Sequence, residues 1–208
     1  MSMTRISGWL AAAVLAVAAT GAHAQAKAPD ALIKEVSTDV LEAVKADKTI
    51  RAGDIRKVIA LVDQKVMPYV NFQRMTSQAV GRYWRQASPE QQKRLQDEFK
   101  LLLVRTYSGA LSQVSEETIS MKPMRGSPTD TDVIVRSEIR GRGDPIQLDY
   151  RLEKTASGWK IYNLNVLGVW LVENYRNSFA QEIGAHGIDG LIAKLAERNK
   201  SAAAATKS

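Results

Sequence analysis

Few side chains in this sequence could make or break a covalent bond. The chain holds no cysteine and two histidines, His23 and His186. His186 stands between Ala185 and Gly187, a setting that reads as a surface turn between two helices. Zinc-ligand spacings and a Cys-His pair are therefore absent, and a Ser-His-Asp triad would have His186 as its one candidate base. Acidic pairs occur at Glu116-Glu117 and at Asp130 and Asp132, in or beside loops where solvated carboxylates are the ordinary outcome. Gly141-Arg142-Gly143 is a bare G-x-G between two strand patterns and reads as a hairpin rather than a phosphate cradle. No G-x-S-x-G elbow and no P-loop occur. These residues predict a protein that is not an enzyme and needs no cofactor.

Arg82-Tyr83-Trp84-Arg85 mixes cations with aromatic rings, a composition that can stack bases over phosphates. The plainer reading has Trp84 closing a core under a helix end while both arginines face water. The alternative is contact with an anionic surface. Compartment bears on the choice. Arg5 precedes an apolar run from Trp9 to Ala19, and Ala22-His23-Ala24 follows as a small-residue site. That three-part layout is a secretory signal peptide over 1–24, cleaved after Ala24. The run is shorter than the ~20 residues a membrane-spanning helix needs. No cysteine follows the cleavage point to take a lipid, and no twin arginine is present. Export makes nucleic acid an improbable partner. Loss of Arg5 takes the formal charge from +7 to +6, which suits anionic lipid head groups or an acidic protein surface.

The elements that would position a site follow from apolar periodicity. Ile33, Val36, Val40 and Val44 form a helical stripe after Asp30. Ile55, Val58, Ile59, Val62 and Val66 form another after Asp54, ended by Pro68. Asn71 caps a third helix with Phe72, Met75 and Ala79 inward and Gly81 as its stop. Ser88-Pro89-Glu90-Gln91 supplies a cap serine, proline at the first helical position and glutamine at the capping-box position. The long helix it opens carries Leu95, Phe99, Leu102, Leu103, Tyr107 and Ala110. The period then falls to 2: Ile119 and Met121, then Val133, Val135 and Ile139, then Ile146, Leu148, Tyr150 and Leu152, with a fourth strand from Trp159. Helical spacing returns after Gly168 as Val172, Tyr175, Phe179 and Ile183, and a last helix follows Asp189. SAAAATKS, residues 201–208, reads as a disordered tail. The expectation is an α+β chain: a four-stranded antiparallel meander with helices before and after it, in one domain over 25–200.

Several of these stretches carry a resemblance. Asn71-Phe72-Gln73-Arg74-Met75, Val80-Gly81-Arg82-Tyr83-Trp84-Arg85 and Ser88-Pro89-Glu90-Gln91-Gln92 are similar to the MlaC family, also called the toluene-tolerance periplasmic proteins. The run from Gly168 to Phe179 and the stretch Gly187-Ile188-Asp189-Gly190-Leu191 resemble its later signatures. The family usually has aspartate where Asn71 stands and serine where Trp170 stands. Trp170 would then sit at the sheet-to-helix junction, where it could narrow a cavity.

The resemblance implies a periplasmic phospholipid carrier of Gram-negative bacteria that maintains outer-membrane lipid asymmetry. Its partners would be phospholipid, an outer-membrane lipoprotein–porin complex and an inner-membrane ABC transporter with an MCE-domain ring. It implies a curved sheet wrapped by helices, with an apolar lipid cavity between them, and a carrier working as a monomer. Such a cavity has a physical reason. Each buried methylene contributes ~0.8 kcal/mol, so the roughly 30 methylenes of a two-chain lipid hold it to a bilayer by ~20 kcal/mol or more. Expected lining residues are Leu103 and Tyr107 from the long helix, Val133, Val135, Leu148 and Tyr150 from the sheet, and Tyr162, Leu164 and Val166 on one face of strand four. Val172, Tyr175 and Phe179 would join them from the following helix. The alternation by itself fits core packing better at each of these twelve positions, and only the resemblance raises cavity lining above it. Two other classes stay open: a scaffold module with a filled interior that binds an acidic protein through the Arg82–Arg105 region, and a hydrolase of lipid or cell-wall esters relying on His186.

Overall fold

A computed structural model describes residues 27–112, 114–124, 126, 127 and 129–205. The expected signal peptide and its cleavage site lie outside these residues. The order is α1 (Pro29–Ala46), α2 (Lys48–Arg51), α3 (Ile55–Lys65), α4 (Phe72–Val80), α5 (Pro89–Leu111), β1 (Thr118–Met121), β2 (Asp132–Arg140), β3 (Ile146–Thr155), β4 (Gly158–Val166), β5 (Val169–Trp170) and α6 (Leu171–Ala205). Short 3-10 segments at Met67–Tyr69 and Gly81–Gln86 join α3 to α4 and α4 to α5.

The helix starts follow local chemistry. Asp54 accepts from the Arg56 amide and Asn71 from the Arg74 amide, each satisfying a donor that has no partner within its helix. At Ser88 the capping box is complete: its hydroxyl accepts from the Gln91 amide at 3.2 Å, and the Gln91 side chain accepts from the Ser88 amide at 3.0 Å. The short α2, capped by Asp47, is an addition to the expected helices.

The sheet is an antiparallel meander in the order β1-β2-β3-β4-β5, so it has five strands where four were expected. The fifth is two residues long, too short to show alternation. It forms because Leu167 and Gly168, with φ of 51° and 88°, make a two-residue hairpin loop that returns Val169 to pair with Val166. A second irregularity lies inside β4. Leu152 pairs with Ile161, but Arg151 pairs with Asn163, so Tyr162 is an extra residue in a β-bulge.

Apolar side chains gather in three clusters. One joins α4, α5 and α6 around Phe99; one presses α1 onto the sheet at Val133, Val135 and Leu152; one ties α1, α2 and α3 to Val114. Trp84 packs half-buried against the first while Arg82 and Arg85 stay exposed, as the plainer reading of that stretch expected. At the C-terminal end the expected turn contracts to one residue, Gly187, whose φ of 72° kinks α6. The helix resumes and runs to Ala205, into the first part of the expected tail, whose residues 206–208 lie outside the described residues. Alanine, the best helix former, explains the extension.

Candidate functional site

The face of β3 and β4 that carries Leu148, Tyr150, Ile161, Leu164 and Val166 looks into a cleft of about 660 Å³, closed on its other sides by α1, α3 and α5. Its walls are overwhelmingly apolar. Ile33, Val36, Val40 and Leu41 come from α1, Val62 from α3, and Leu103, Val104, Tyr107 and Leu111 from α5. Polar groups are sparse. The Lys100 ammonium is already bound to Asp63 at 2.8 Å. Burial raises the pKa of the Tyr150 hydroxyl, partly offset by the hydroxyls of Ser37 and Ser137, and burial likewise raises that of Tyr107. Both phenols are neutral at physiological pH. At one end the cleft reaches solvent between Gly141, Gly143 and Asp144 of the β2–β3 hairpin.

Six of the twelve expected lining residues face this space: Leu103, Tyr107, Leu148, Tyr150, Leu164 and Val166. The other six do not. Val133 and Val135 are covered by Leu32, Ile33 and Val36 of α1. Val172, Tyr175 and Phe179 belong to the closed cluster beneath α6, where the Phe99 ring meets Tyr175 and Phe179 edge-on at 5.1 and 5.2 Å. Tyr162 is turned away by the bulge. In a regular strand it would share a face with Leu164 and Val166; the extra residue sends it to the polar face. There its hydroxyl donates to Asp132 at 2.8 Å and the Arg74 guanidinium lies 3.6 Å above its ring. Trp170 also stays out of the cleft, half-buried under the Arg151 guanidinium at 4.2 Å.

The lining contributed by α1 and α3 went unassigned in the sequence, although its stripes were plain. Their spacing marks an inward face, and nothing in that spacing separates a filled interior from an open one. On α5 both outcomes occur on one helix: Leu95, Phe99 and Leu102 are buried in the core, whereas Leu103, Tyr107 and Leu111 border the cleft.

The bulge also builds the junction between sheet and α6. Asn163, fully buried, accepts from the Leu164 amide at 2.9 Å and from the Val172 amide at 3.2 Å, and donates to Glu173 at 2.8 Å. Arg151 reaches Glu173 at 2.7 Å. Burial alone would raise the Glu173 pKa, but the Asn163 amide and Arg151 outweigh it and hold it below the ordinary value. His186 is exposed, contacts Glu182 at 2.7 Å and does not border the cleft. Among the described residues no three His, Asp or Glu side chains converge as metal ligands, and no helix is long and apolar enough to cross a membrane.

An open antiparallel sheet backed by helices, with a largely apolar cleft between them, defines a class of protein that can enclose a hydrophobic molecule. The family model for the MlaC protein matches residues 34–197, and the chain belongs to that family. Relatives include the toluene tolerance protein ttg2D of Pseudomonas putida, 23% identical over 85% of this chain and 86% of its own. The intermembrane phospholipid transport system binding protein MlaC of Haemophilus influenzae is 25% identical over 80% of each. Among solved structures, a phospholipid-binding protein from Ralstonia solanacearum, in complex with a phospholipid, superposes with a TM-score of 0.81. It is 48% identical and covers 84% of this chain and 98% of its own.

Proposed function

We propose that this protein is a periplasmic phospholipid carrier. The observation that carries the reading is the apolar cleft of about 660 Å³, in a chain 48% identical to a protein whose structure holds a phospholipid. Acyl chains lie between β3–β4 and helices α1, α3 and α5, displacing water from Leu148, Leu164, Val166, Leu103 and Tyr107. The head group stays at the rim by Gly141, Gly143 and Asp144, where its charge keeps contact with solvent. Loading and release are non-covalent, and no cofactor takes part. The carrier moves lipid as a monomer between an outer-membrane lipoprotein–porin complex and an inner-membrane MCE-domain ABC transporter, and so maintains outer-membrane lipid asymmetry.

The test is native mass spectrometry of the exported protein, purified without detergent, with organic extraction of the same sample. A mass excess equal to that of an intact phospholipid in the extract is expected. A bare polypeptide mass would instead return the chain to the scaffold reading, and hydrolysed lipid would point to the ester hydrolase.

A further inference from the structure

Leu167 is the one non-glycine residue with positive φ among the described residues, at 51°, and it is 64% exposed. Both facts argue against leucine at this position. Two-residue loops with positive φ at both centres favour Asn-Gly or Asp-Gly. A leucine there bears the clash of its Cβ with the following carbonyl and offers no local hydrogen bond in return. Its apolar surface goes into water, together with that of Val169, 47% exposed on the same hairpin. Neither folding nor solubility accounts for the choice, and residues that break local rules in this way gather at functional positions.

The surroundings of the tip indicate what it does. The Leu167 amide donates to the Gln147 carbonyl at 3.1 Å, between Ile146 and Leu148. Those two residues and Val166, which immediately precedes the tip, line the cleft. The open rim at Gly141, Gly143 and Asp144 belongs to the adjoining hairpin of the same sheet end. The apolar wall of the cleft therefore continues to the surface at Leu167.

We propose that the β4–β5 hairpin is a membrane-contacting tip: Leu167, with Val169, enters the interface of a phospholipid bilayer and sets the rim of the cleft against the lipids it exchanges. This inference rests on the carrier reading. A bilayer fits better than a protein partner. Two exposed side chains fall far short of the ~800 Å² per partner of a specific protein interface. A bilayer takes a lone apolar tip and yields contact weak enough for a shuttle to leave. The formal charge of +7, or +6 once Arg5 leaves with the signal peptide, favours an anionic lipid surface. On the neighbouring hairpin the Arg142 side chain is 82% exposed, held loosely at 3.6 Å from Glu116.

The experiment uses vesicles of phosphatidylethanolamine and phosphatidylglycerol carrying a self-quenched fluorescent phospholipid. Three readouts are taken: transfer rate to the protein, co-flotation, and lipid per protein on extraction. Leu167→Asn suits the backbone and removes the apolar tip. It is expected to raise Tm by about 2–4 °C and leave lipid per protein unchanged. Transfer and flotation should fall about tenfold. Leu167→Phe, which keeps an apolar tip, is expected within about twofold of the wild type. Wild-type transfer and flotation by Leu167→Asn would overturn the inference, including the case in which the tip docks on a protein. A wild-type chain without extractable phospholipid overturns the carrier reading instead. Flotation needs no cargo and still decides the tip: its loss in Leu167→Asn upholds membrane contact, and its persistence overturns it.

Discussion

Replacing Leu148 by tryptophan tests the cleft most directly. Leu148 is half-buried, faces Val166 across the β3–β4 ladder, and belongs to the cleft wall rather than to the closed cluster around Phe99. Indole brings roughly six more non-hydrogen atoms than the leucine side chain, and each excludes about one methylene of cargo worth ~0.8 kcal/mol. Complete displacement costs the complex about 5 kcal/mol, and re-seating of the acyl chain in the remaining space reduces this to about 2 kcal/mol. Lipid retention is then expected to fall roughly 30- to 3,000-fold. The assay is loss of bound phospholipid on serial dilution, followed by native mass spectrometry, with far-UV circular dichroism as the check on folding. The lipid-free variant should melt within about 2 °C of the lipid-free wild type, because the ring enters open space instead of a filled core. Tyr162→Phe is the matched control: it removes a hydroxyl on the polar face and should leave retention unchanged. A folded Leu148→Trp protein that holds lipid as the wild type does would refute the placement of cargo against β3.

Two further outcomes follow from the junction beneath α6. Asn163→Ala orphans the Val172 and Leu164 amides and removes the partner of Glu173. A loss of about 3 kcal/mol is expected, read as a fall in Tm of about 6–12 °C. A change under 2 °C would show that the side chain is not needed to dock the helix. Glu173 has a folded-state pKa below its unfolded value of 4.5, so its contribution is present above that pH and is lost as pH falls through the folded value. Melting from pH 7 to pH 3 should therefore show an acid-side loss that Glu173→Gln flattens, and identical profiles would contradict the assignment.

The helices were legible because their signals are local. Ser88 and Gln91 sit three residues apart and cap the same helix wherever it packs, and Asn71 followed by the Phe72, Met75 and Ala79 stripe needs no distant partner. The alternation of Ile146, Leu148, Tyr150 and Leu152 likewise gave β3. What escaped was set by pairing across the chain. The Tyr162 bulge exists only against Arg151 and Leu152 on the neighbouring strand, and one extra residue there inverted the face assigned to Tyr162 while leaving Leu164 and Val166 where they were expected. Nor does periodicity say what an inward face meets. Phe179 and Leu103 lie on equally apolar stripes, yet one touches Phe99 and the other borders open space, because the spacing between helices is decided elsewhere.

The division of the interior into three clusters bears on how the protein comes apart. Phe72 and Met75 belong to the first cluster, Ile33 and Tyr150 to the second and Leu41 to the third, and all five residues also border the cleft. An occupant of the cleft thus touches all three and couples their openings. Emptied, the clusters communicate chiefly through α1 and α5 and are free to fluctuate more independently. Cooperativity is then a property of the loaded particle more than of the polypeptide, and hydrogen exchange would resolve separate openings in the empty chain that merge into one when the cleft is filled.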